Sequence, residues 1–185
     1  MIVGIDEVGR GCWAGPVVAG AVLLHQPIKG LKDSKKLTKR MRERLDAEIR
    51  IAATAFGIGW ATPTEIDAWG LTEAVRMAMR RAFEMIKQPY ERLIVDGNYN
   101  YFADLPNSQA VIAADNSVPA VSAASIIAKV ARDHFMTEAA RQYAGYGFER
   151  HVGYGTVQHA AALRSLGVCD LHRRSFKPVQ AFLTP

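Results

Sequence analysis

The sequence predicts an α/β fold in which a mixed central β-sheet is flanked by helices. Short apolar runs of strand length alternate with longer segments of helical periodicity, and three of these apolar runs end on an aspartate. The 185 residues, 49% of them hydrophobic, are sufficient for one core. Because no linker, repeat or low-complexity segment divides them, we expect one catalytic domain over residues 1–185.

The first predicted strand, Ile2–Ile5, leads into two adjacent carboxylates, Asp6 and Glu7, and then into the tripeptide Gly9-Arg10-Gly11. Two ionised carboxylates repel each other and are costly to bury unless a cation or hydrogen-bond donors accompany them. The two glycines permit positive φ and let backbone N–H groups come close to a ligand. This combination indicates a chemical site rather than a packing feature.

Residues 16–87 are predicted to supply two strands and three helices. The strands are expected at Pro16–Leu24, forming a hairpin with the first strand, and at Ala52–Ala61. Thr38 is a candidate N-cap for the helix between them. The segment Thr62–Glu65 has the form of a capping box and predicts a short helix, and an apolar stripe ending near Lys87 predicts a longer one.

Two further strands also end on aspartates. Glu91–Val95 is followed by Asp96, and Gln109–Ala114 is followed by Asp115. Since the carboxyl ends of parallel strands lie along one edge of a sheet, we expect the three strand-terminal aspartates to converge. Glu7 would point to the opposite face of a regular strand. Either the first strand turns at Glu7, which the following glycine favours, or Glu7 reaches the site from the edge.

A cluster of four carboxylates, without cysteine or an obligatory histidine, favours Mg²⁺ or Mn²⁺ over zinc. Two such ions about 3.5–4 Å apart are a common means of hydrolysing phosphodiesters. Considered alone, Asp115 is explained equally well as a turn residue, because Asn-Ser-Val-Pro follows it.

The C-terminal half is predicted to be helical. A long helix is expected at Ala120–Tyr143, a glycine-rich loop at Gly145–Gly155, and a helix capped by Thr156 that ends at Leu166. Among the five histidines none is identified as catalytic, and His151 in the glycine-rich loop is expected to be the most exposed candidate.

The net charge of +5 favours a polyanionic partner, and Arg173 and Arg174 are expected to extend the basic surface. No apolar run reaches the length of a membrane span, and no secretory signal is recognised. Cys12 and Cys169 fit neither a disulfide framework nor a zinc site. We therefore expect a cytoplasmic protein.

The segment Gly4–Gly11 resembles the N-terminal signature of bacterial ribonuclease HII, the type 2 RNase H. Other segments resemble the same family in the family's order: Asp33–Leu37, Val95–Asn98, Val121–Val130, His151 with Gly153-Tyr154, and His172–Phe176. The resemblance covers nearly the whole chain, and several blocks in order are more specific than any one of them.

The resemblance implies an RNase H-like fold with a C-terminal helical lobe over a substrate groove. It implies a monomeric endonuclease that cleaves RNA in RNA–DNA hybrids and cuts 5′ to single ribonucleotides in duplex DNA, leaving 5′-phosphate and 3′-hydroxyl ends. It also implies roles in ribonucleotide removal and primer clearance during replication. The metal-binding, catalytic acids would be Asp6, Glu7, Asp96 and Asp115, holding two Mn²⁺ or Mg²⁺ ions without a covalent intermediate.

The same resemblance assigns substrate contacts. Gly9, Arg10 and Gly11 match the turn that reads the ribose 2′-hydroxyl through backbone groups, which agrees with the fact that this hydroxyl alone distinguishes RNA from DNA at a fixed site. Tyr154 matches the tyrosine that stacks on the next sugar. Without the family, an ordinary loop aromatic would be the better explanation of Tyr154.

Phosphate contacts are predicted for Lys35 and Lys36, although a solvated charge run at a helix start would give the same pattern. Ser122 and Ser125 at the start of the long helix could donate to phosphate or cap the helix, and Lys129 has a similar ambiguity.

The sequence departs from the family pattern at three positions. Ala113 and Val152 stand where lysine is common, and Lys32 stands where asparagine is frequent. These differences affect the expected phosphate contacts but not the acids.

Three alternatives remain. A two-metal nuclease such as a junction resolvase would share the acids but need no 2′-hydroxyl reader, and a non-catalytic nucleic-acid-binding module would share only the basic surface. The type 3 enzyme is disfavoured because the signature begins at residue 4. A sliding-clamp partner is not predicted from the short tail.

Overall fold

The computed structural model describes residues 1–31, Ser34 and residues 37–183. The strands in these ranges are β1 (Ile2–Val8), β2 (Val17–Leu24), β3 (Ala55–Ala61), β4 (Arg92–Asp96) and β5 (Ser108–Val111). The helices are α1 (Lys39–Ala52), α2 (Pro63–Trp69), α3 (Leu71–Phe83), α4 (Pro119–Gln142), α5 (Phe148–His151), α6 (Val157–Leu166) and α7 (Lys177–Gln180).

The five strands form one mixed sheet in the order β3-β2-β1-β4-β5. β1, β2 and β3 are antiparallel neighbours, whereas β1, β4 and β5 run parallel. The predicted mixed sheet and the hairpin between the first two strands are confirmed. β1 therefore lies at the centre and joins the antiparallel half to the parallel half.

Helices cover both faces of the sheet, and the alternation of side chains along β1 divides the core. Val3 and Ile5 face α3 in one apolar cluster, whereas Gly4 faces α4. On the α4 side, α1 contributes Leu45 and Ile49 to a second cluster. Because β2 is covered on both sides, all eight of its residues are buried.

α4 packs so closely on the sheet that two strand positions must be glycine. A Cβ on Gly4 would collide with the backbone of Ala120, and a Cβ on Gly20 would collide with the carbonyl oxygen of Ala124. Each position therefore meets helix backbone, which cannot rotate away as a flexible side chain can.

Helix starts agree with the predicted capping signals. The side chain of Thr38 accepts from the Met41 amide at the start of α1. Thr62 and Glu65 form the complete capping box of α2, with Pro63 in the first turn. The side chain of Thr156 accepts from the His159 amide at the start of α6.

Several predicted boundaries were wrong. β3 begins at Ala55 because α1 extends through Ala52, and α3 ends at Phe83 rather than near Lys87. β5 ends at Val111, where its ladder with β4 ends at Asp96. The segment predicted as the glycine-rich loop contains α5.

The helices α5 to α7 and the segments between them form a C-terminal lobe with its own apolar cluster. This cluster includes Tyr146, Phe148 and Leu163 and packs against Trp13 from the N-terminal part. Isolated bridges pair Cys12 with Tyr154 and Ala14 with His172. The segment between β1 and β2 is thereby attached to the lobe, which places the lobe beside the end of β1. Across the described ranges, no helix has the length and apolar character needed to cross a membrane.

We expect Gly4→Ala to destabilise the protein by about 3 kcal/mol or more, because the added methyl meets α4 backbone. The measurement is the free energy of unfolding from urea titration. Gly11→Ala is the matched control, since a Cβ there has no neighbour within 4 Å, and its stability should stay within about 0.5 kcal/mol of wild type. Equal midpoints for both variants would contradict this packing.

Candidate functional site

The sheet brings two of the predicted acids together at one edge. The parallel ladder of β1 and β4 pairs Ile5 with Val95, so Asp6 and Asp96 are the next residues on adjacent strands. Asp96 is the last residue of β4, and its Oδ1 accepts the amide of Ala114 at 2.7 Å.

The carboxyl groups of Asp6 and Glu7 are both largely buried. Burial raises the pKa of Asp6 well above its usual value, and the charges of Glu7 and Asp96 raise it further. Hydrogen bonds from Ser125 and from the Glu7 amide, which lies 2.7 Å from Asp6 Oδ1, offset part of this effect. Burial also raises the pKa of Glu7, although the Arg10 guanidinium 3.1 Å away opposes the shift.

The interpretation that the first strand turns at Glu7 was wrong. β1 continues to Val8, and Glu7 still pairs with Ala19 of β2. Its carboxylate nevertheless acts electrostatically on Asp6 and is acted on by Asp96. The turn begins only at Gly9, where φ is +92°.

Asp115 does not end a strand. Ala113 adopts a left-handed conformation (φ 55°), and Asp115 lies in the 3₁₀ turn Ala114–Asn116 that follows. The Asn116 side chain donates to Asp115 Oδ1 at 2.8 Å, and Ser122 Oγ donates to the Asp115 carbonyl at 2.5 Å. The hydrogen bond between Asp96 and the neighbouring Ala114 amide ties this turn to the edge that carries Asp6.

The donor set fits hard divalent cations. Its carboxylate oxygens are the ligands that Mg²⁺ and Mn²⁺ prefer, and the mutual repulsion that raises the pKa of Asp6 is what a cation would relieve. In the parts of the chain that the structure describes, no three acidic, histidine or cysteine side chains are already arranged around one ion position.

Ser122 and Ser125 are both buried and bonded within the protein. Ser125 Oγ lies 2.8 Å from Ser34 Oγ and also contacts Asp6. The capping alternative was wrong, because α4 begins at Pro119 and its N-cap residue is Val118. Ser122 lies within the helix, where its hydroxyl donates to backbone carbonyls. The observed contacts favour a role in arranging the acids over direct contact with phosphate.

The turn Gly9–Gly11 lies between the acids and the C-terminal lobe. Gly11 faces open space, and the Arg10 side chain reaches back to Glu7. In the described ranges, the amides of Arg10 and Gly11 donate to no protein acceptor. These two N–H groups are therefore available to a ligand beside the carboxylates.

Tyr154 lies across from this turn and is 40% exposed. Burial of its inner part raises the pKa of the phenol, whose hydroxyl contacts Cys12. Lys129 lies 6.0 Å from the centre of its ring and pairs with Asp133 at 2.7 Å. The partly exposed ring of Tyr154 thus lies near the Gly9–Gly11 turn. Lys35 and Lys36 lie outside the described residues.

Sequence reasoning missed Arg132 and placed Arg173 wrongly. Arg132 and Arg173 are fully buried, so the expectation that Arg173 extends the basic surface was wrong; Arg174 is exposed. Both guanidinium groups donate to backbone carbonyls behind the turn. The block His172–Phe176 marked Arg173 as notable, but no pattern marked Arg132.

His151 is buried, which contradicts its predicted exposure. It stacks on His159 at 4.5 Å, and His159 Nε2 lies 3.0 Å from His172 Nε2. His159 Nδ1 donates to the Tyr154 carbonyl, and His172 Nδ1 accepts the Cys169 amide. These partners require neutral rings, and burial lowers the pKa of both His159 and His172 to about 4.

Comparison with known proteins agrees with this architecture. The family model described as Ribonuclease HII matches residues 3–179. The ribonuclease HII of Halorhodospira halophila is 50% identical, over 98% of this chain and 94% of that protein. The ribonuclease HII of Hyphomonas neptunium is 46% identical, over 100% and 97%.

Solved structures give the same result. The ribonuclease H2 from Pyrococcus horikoshii superposes with a TM-score of 0.83 at 26% identity, over 98% of this chain and 96% of that one. The chain matched in the PCNA:RNase HII complex from Archaeoglobus fulgidus gives 0.79 at 27%, over 96% and 95%. Bst-RNase HIII, 20% identical with a TM-score of 0.73, covers 98% of this chain and 68% of that one and shares the fold.

The mixed sheet with flanking helices and a C-terminal helical region is thus that of the type 2 and type 3 ribonucleases H. The chain belongs to the ribonuclease HII family. It is accordingly an endoribonuclease of the H class, a hydrolase.

Acid should destabilise the histidine stack. The pKa of His159 and His172 is about 4 in the folded protein but near 6.5 in the unfolded chain, so the unfolded state gains protons first. The stability that the two neutral rings contribute is fully present above pH 6.5. As the pH falls towards 4, the free energy of unfolding should decrease by roughly 2–4 kcal/mol.

The measurement is the unfolding free energy of wild type and of a His159→Gln/His172→Gln variant against pH. Other acid-sensitive groups are common to both proteins, so the difference between them should narrow from pH 6.5 to 4. A constant difference would show that these rings do not titrate on unfolding.

Proposed function

We propose that this chain, as one catalytic domain over residues 1–185, cleaves RNA in RNA–DNA hybrids and cuts 5′ to single ribonucleotides in duplex DNA. The products would be 5′-phosphate and 3′-hydroxyl ends. The observation that carries the proposal is the juxtaposition of the buried acids with a turn whose two amides are open. Family membership supports the activity on hybrids.

The residues that would hold Mn²⁺ or Mg²⁺ are Asp6, Glu7, Asp96 and Asp115. Paired divalent ions supply an activated water and charge stabilisation at the leaving oxygen. The carboxylates would hold these ions beside the turn, and the reaction would proceed without a covalent intermediate. Ser125, bonded to Asp6, would fix the orientation of that carboxylate.

Ribose recognition would come from the backbone of Gly9, Arg10 and Gly11. An amide N–H can bond a 2′-hydroxyl without reading the base, which permits cleavage in any sequence. Gly11 has no Cβ on the open side, so a sugar can come close. Tyr154 would stack on the sugar of the next deoxynucleotide and thereby favour an RNA-to-DNA junction.

Contacts with phosphate would position the duplex without specifying sequence. Lys35 and Lys36 remain proposed for this role, together with the net charge of +5. Ser122 and Ser125 would act through Asp115 and Asp6, to which they are bonded.

In the cell, the proposed substrates place the protein in the cytoplasm at bacterial DNA, in ribonucleotide excision repair and primer removal during replication. We propose that it acts as a monomer, because the acids, the turn and the tyrosine all come from one chain. A clamp contact such as that named for the Archaeoglobus fulgidus complex is not proposed for this tail.

Asp6→Asn should lower cleavage of a labelled duplex with one ribonucleotide by at least about 10³-fold, since it removes the charge of a carboxylate that would hold the ions. With a chelator present, the same variant should melt no lower than wild type, because it removes a carboxylate repelled by two neighbours. An all-DNA duplex of the same sequence is the substrate control. Cutting of that control by wild type would indicate a general nuclease instead.

Gly11→Ala should lower cleavage at a single ribonucleotide by about tenfold or more while leaving the melting temperature unchanged. The added methyl occupies open space where the sugar would lie and would displace it from the two amides. The measurement is kcat/KM alongside thermal unfolding. Full activity in this variant would mean that the sugar does not approach the turn.

A further inference from the structure

Behind the Gly9–Gly11 turn the structure buries two positive charges. Arg132 and Arg173 are 0% exposed, the largest side chains in the interior. Neither lies within 4.0 Å of a carboxylate in the described part of the chain. A buried guanidinium without a counter-ion is costly unless hydrogen bonds compensate it.

In the described residues, the hydrogen bonds of both guanidinium groups all go to backbone carbonyls. Arg173 donates to the carbonyls of Gly15 at 3.0 Å, Arg10 at 2.8 Å and Gly9 at 2.6 Å. Arg132 donates to Pro16 at 2.9 Å, Val152 at 2.8 Å and Ala14 at 3.0 Å. Each guanidinium therefore makes three charge-assisted hydrogen bonds, but only Arg173 contacts the turn's own carbonyls.

The hydrogen bonds from Arg173 fix the orientation of the peptide groups in the turn. With the carbonyls of Gly9 and Arg10 drawn towards Arg173, the amides of Arg10 and Gly11 remain on the open side. A peptide plane that rotated would exchange an amide for a carbonyl at that surface. It would also leave the guanidinium with an unmade hydrogen bond.

We propose that Arg173 is the positioning residue for ribose recognition: it locks the peptide planes of the Gly9–Gly11 turn so that N–H donors face the 2′-hydroxyl. The inference rests on the proposed function and adds to it, because it assigns the orientation of the reader to one side chain 163 residues away in sequence. Arg173 does not touch substrate and acts only through the backbone.

The segment that carries Arg173 is fixed by hydrogen bonds on both sides of that residue. Its own amide donates to the Trp13 carbonyl at 2.9 Å, and the Gly15 amide donates to Leu171. On the far side, the Arg174 and Ser175 amides donate to the Asp67 carboxylate at 2.9 Å. The backbone of Arg173 therefore has a fixed position relative to the turn that its guanidinium contacts.

The test compares Arg173→Gln with Arg132→Gln, two buried arginines that each lose three carbonyl contacts. Affinity is measured with Ca²⁺ for a duplex with one ribonucleotide and for the all-DNA duplex of the same sequence, alongside thermal unfolding. We expect both variants to melt lower than wild type. Only Arg173→Gln should lose selectivity: the ratio of its affinity for the ribonucleotide duplex to its affinity for the all-DNA duplex should fall by about tenfold. Its affinity for the all-DNA duplex should change by less than about twofold.

Arg173→Lys keeps the charge, but its single flexible ammonium lacks the fixed planar geometry by which the guanidinium holds both carbonyls. It should fall between wild type and Arg173→Gln in selectivity, and it carries the test if the glutamine variant does not fold. Wild-type selectivity in a folded Arg173 variant, or an equal loss in Arg132→Gln, would overturn the proposal. Wild type that does not distinguish the two duplexes would instead overturn the proposed function itself.

Discussion

The close approach of α4 to β1 is the constraint on which the rest of the structure depends. The strand and the helix run in the same direction, and three matched pairs follow one another: Gly4 with Ala120, Asp6 with Ser125, and Gly9 with Arg132. At the rise of a strand, the five steps from Gly4 to Gly9 span about 17 Å, and the twelve helical steps from Ala120 to Arg132 span about 18 Å, so the two segments stay in register. One packed interface thus supports the core, the acids and the turn.

Acidic and basic side chains lie at different places along the interface of β1 and α4. Asp6 and Glu7 gather negative charge at the open end of the sheet, where burial and mutual repulsion raise the pKa of Asp6. Arg132 and Arg173 bury positive charge behind the neighbouring turn, and burial lowers the pKa of Arg173 to about 10. Neither group is neutralised by the other through a direct ion pair within the described residues. The electrostatic cost of both is consistent with selection for chemistry and not for stability alone.

Local signals predicted the elements whose stability is local. Thr38, the Thr62–Glu65 box and Thr156 identified helix starts because an N-cap hydrogen bond spans only three residues. Long-range pairing decided the rest. β5 ends at Val111 because β4, its neighbour in the described sheet, ends opposite it, so Asp115 lies on a 3₁₀ turn and not on a strand. The sequence marked that aspartate as a candidate, and the hydrogen bond from the Ala114 amide to Asp96 ties its turn to the edge of the sheet.

The sequence by itself determined the order of strands and helices, the mixed α/β class, the family and the candidate acids, since these depend on periodicity and on short motifs. Only the tertiary structure decided which polar residues are buried. Arg173 and His151 both appeared suited to the surface, yet both lie in the interior. Their partners are carbonyls and rings supplied by segments distant in sequence. Burial of a polar side chain is favourable only when the whole fold supplies its hydrogen bonds, and no local pattern encodes that supply.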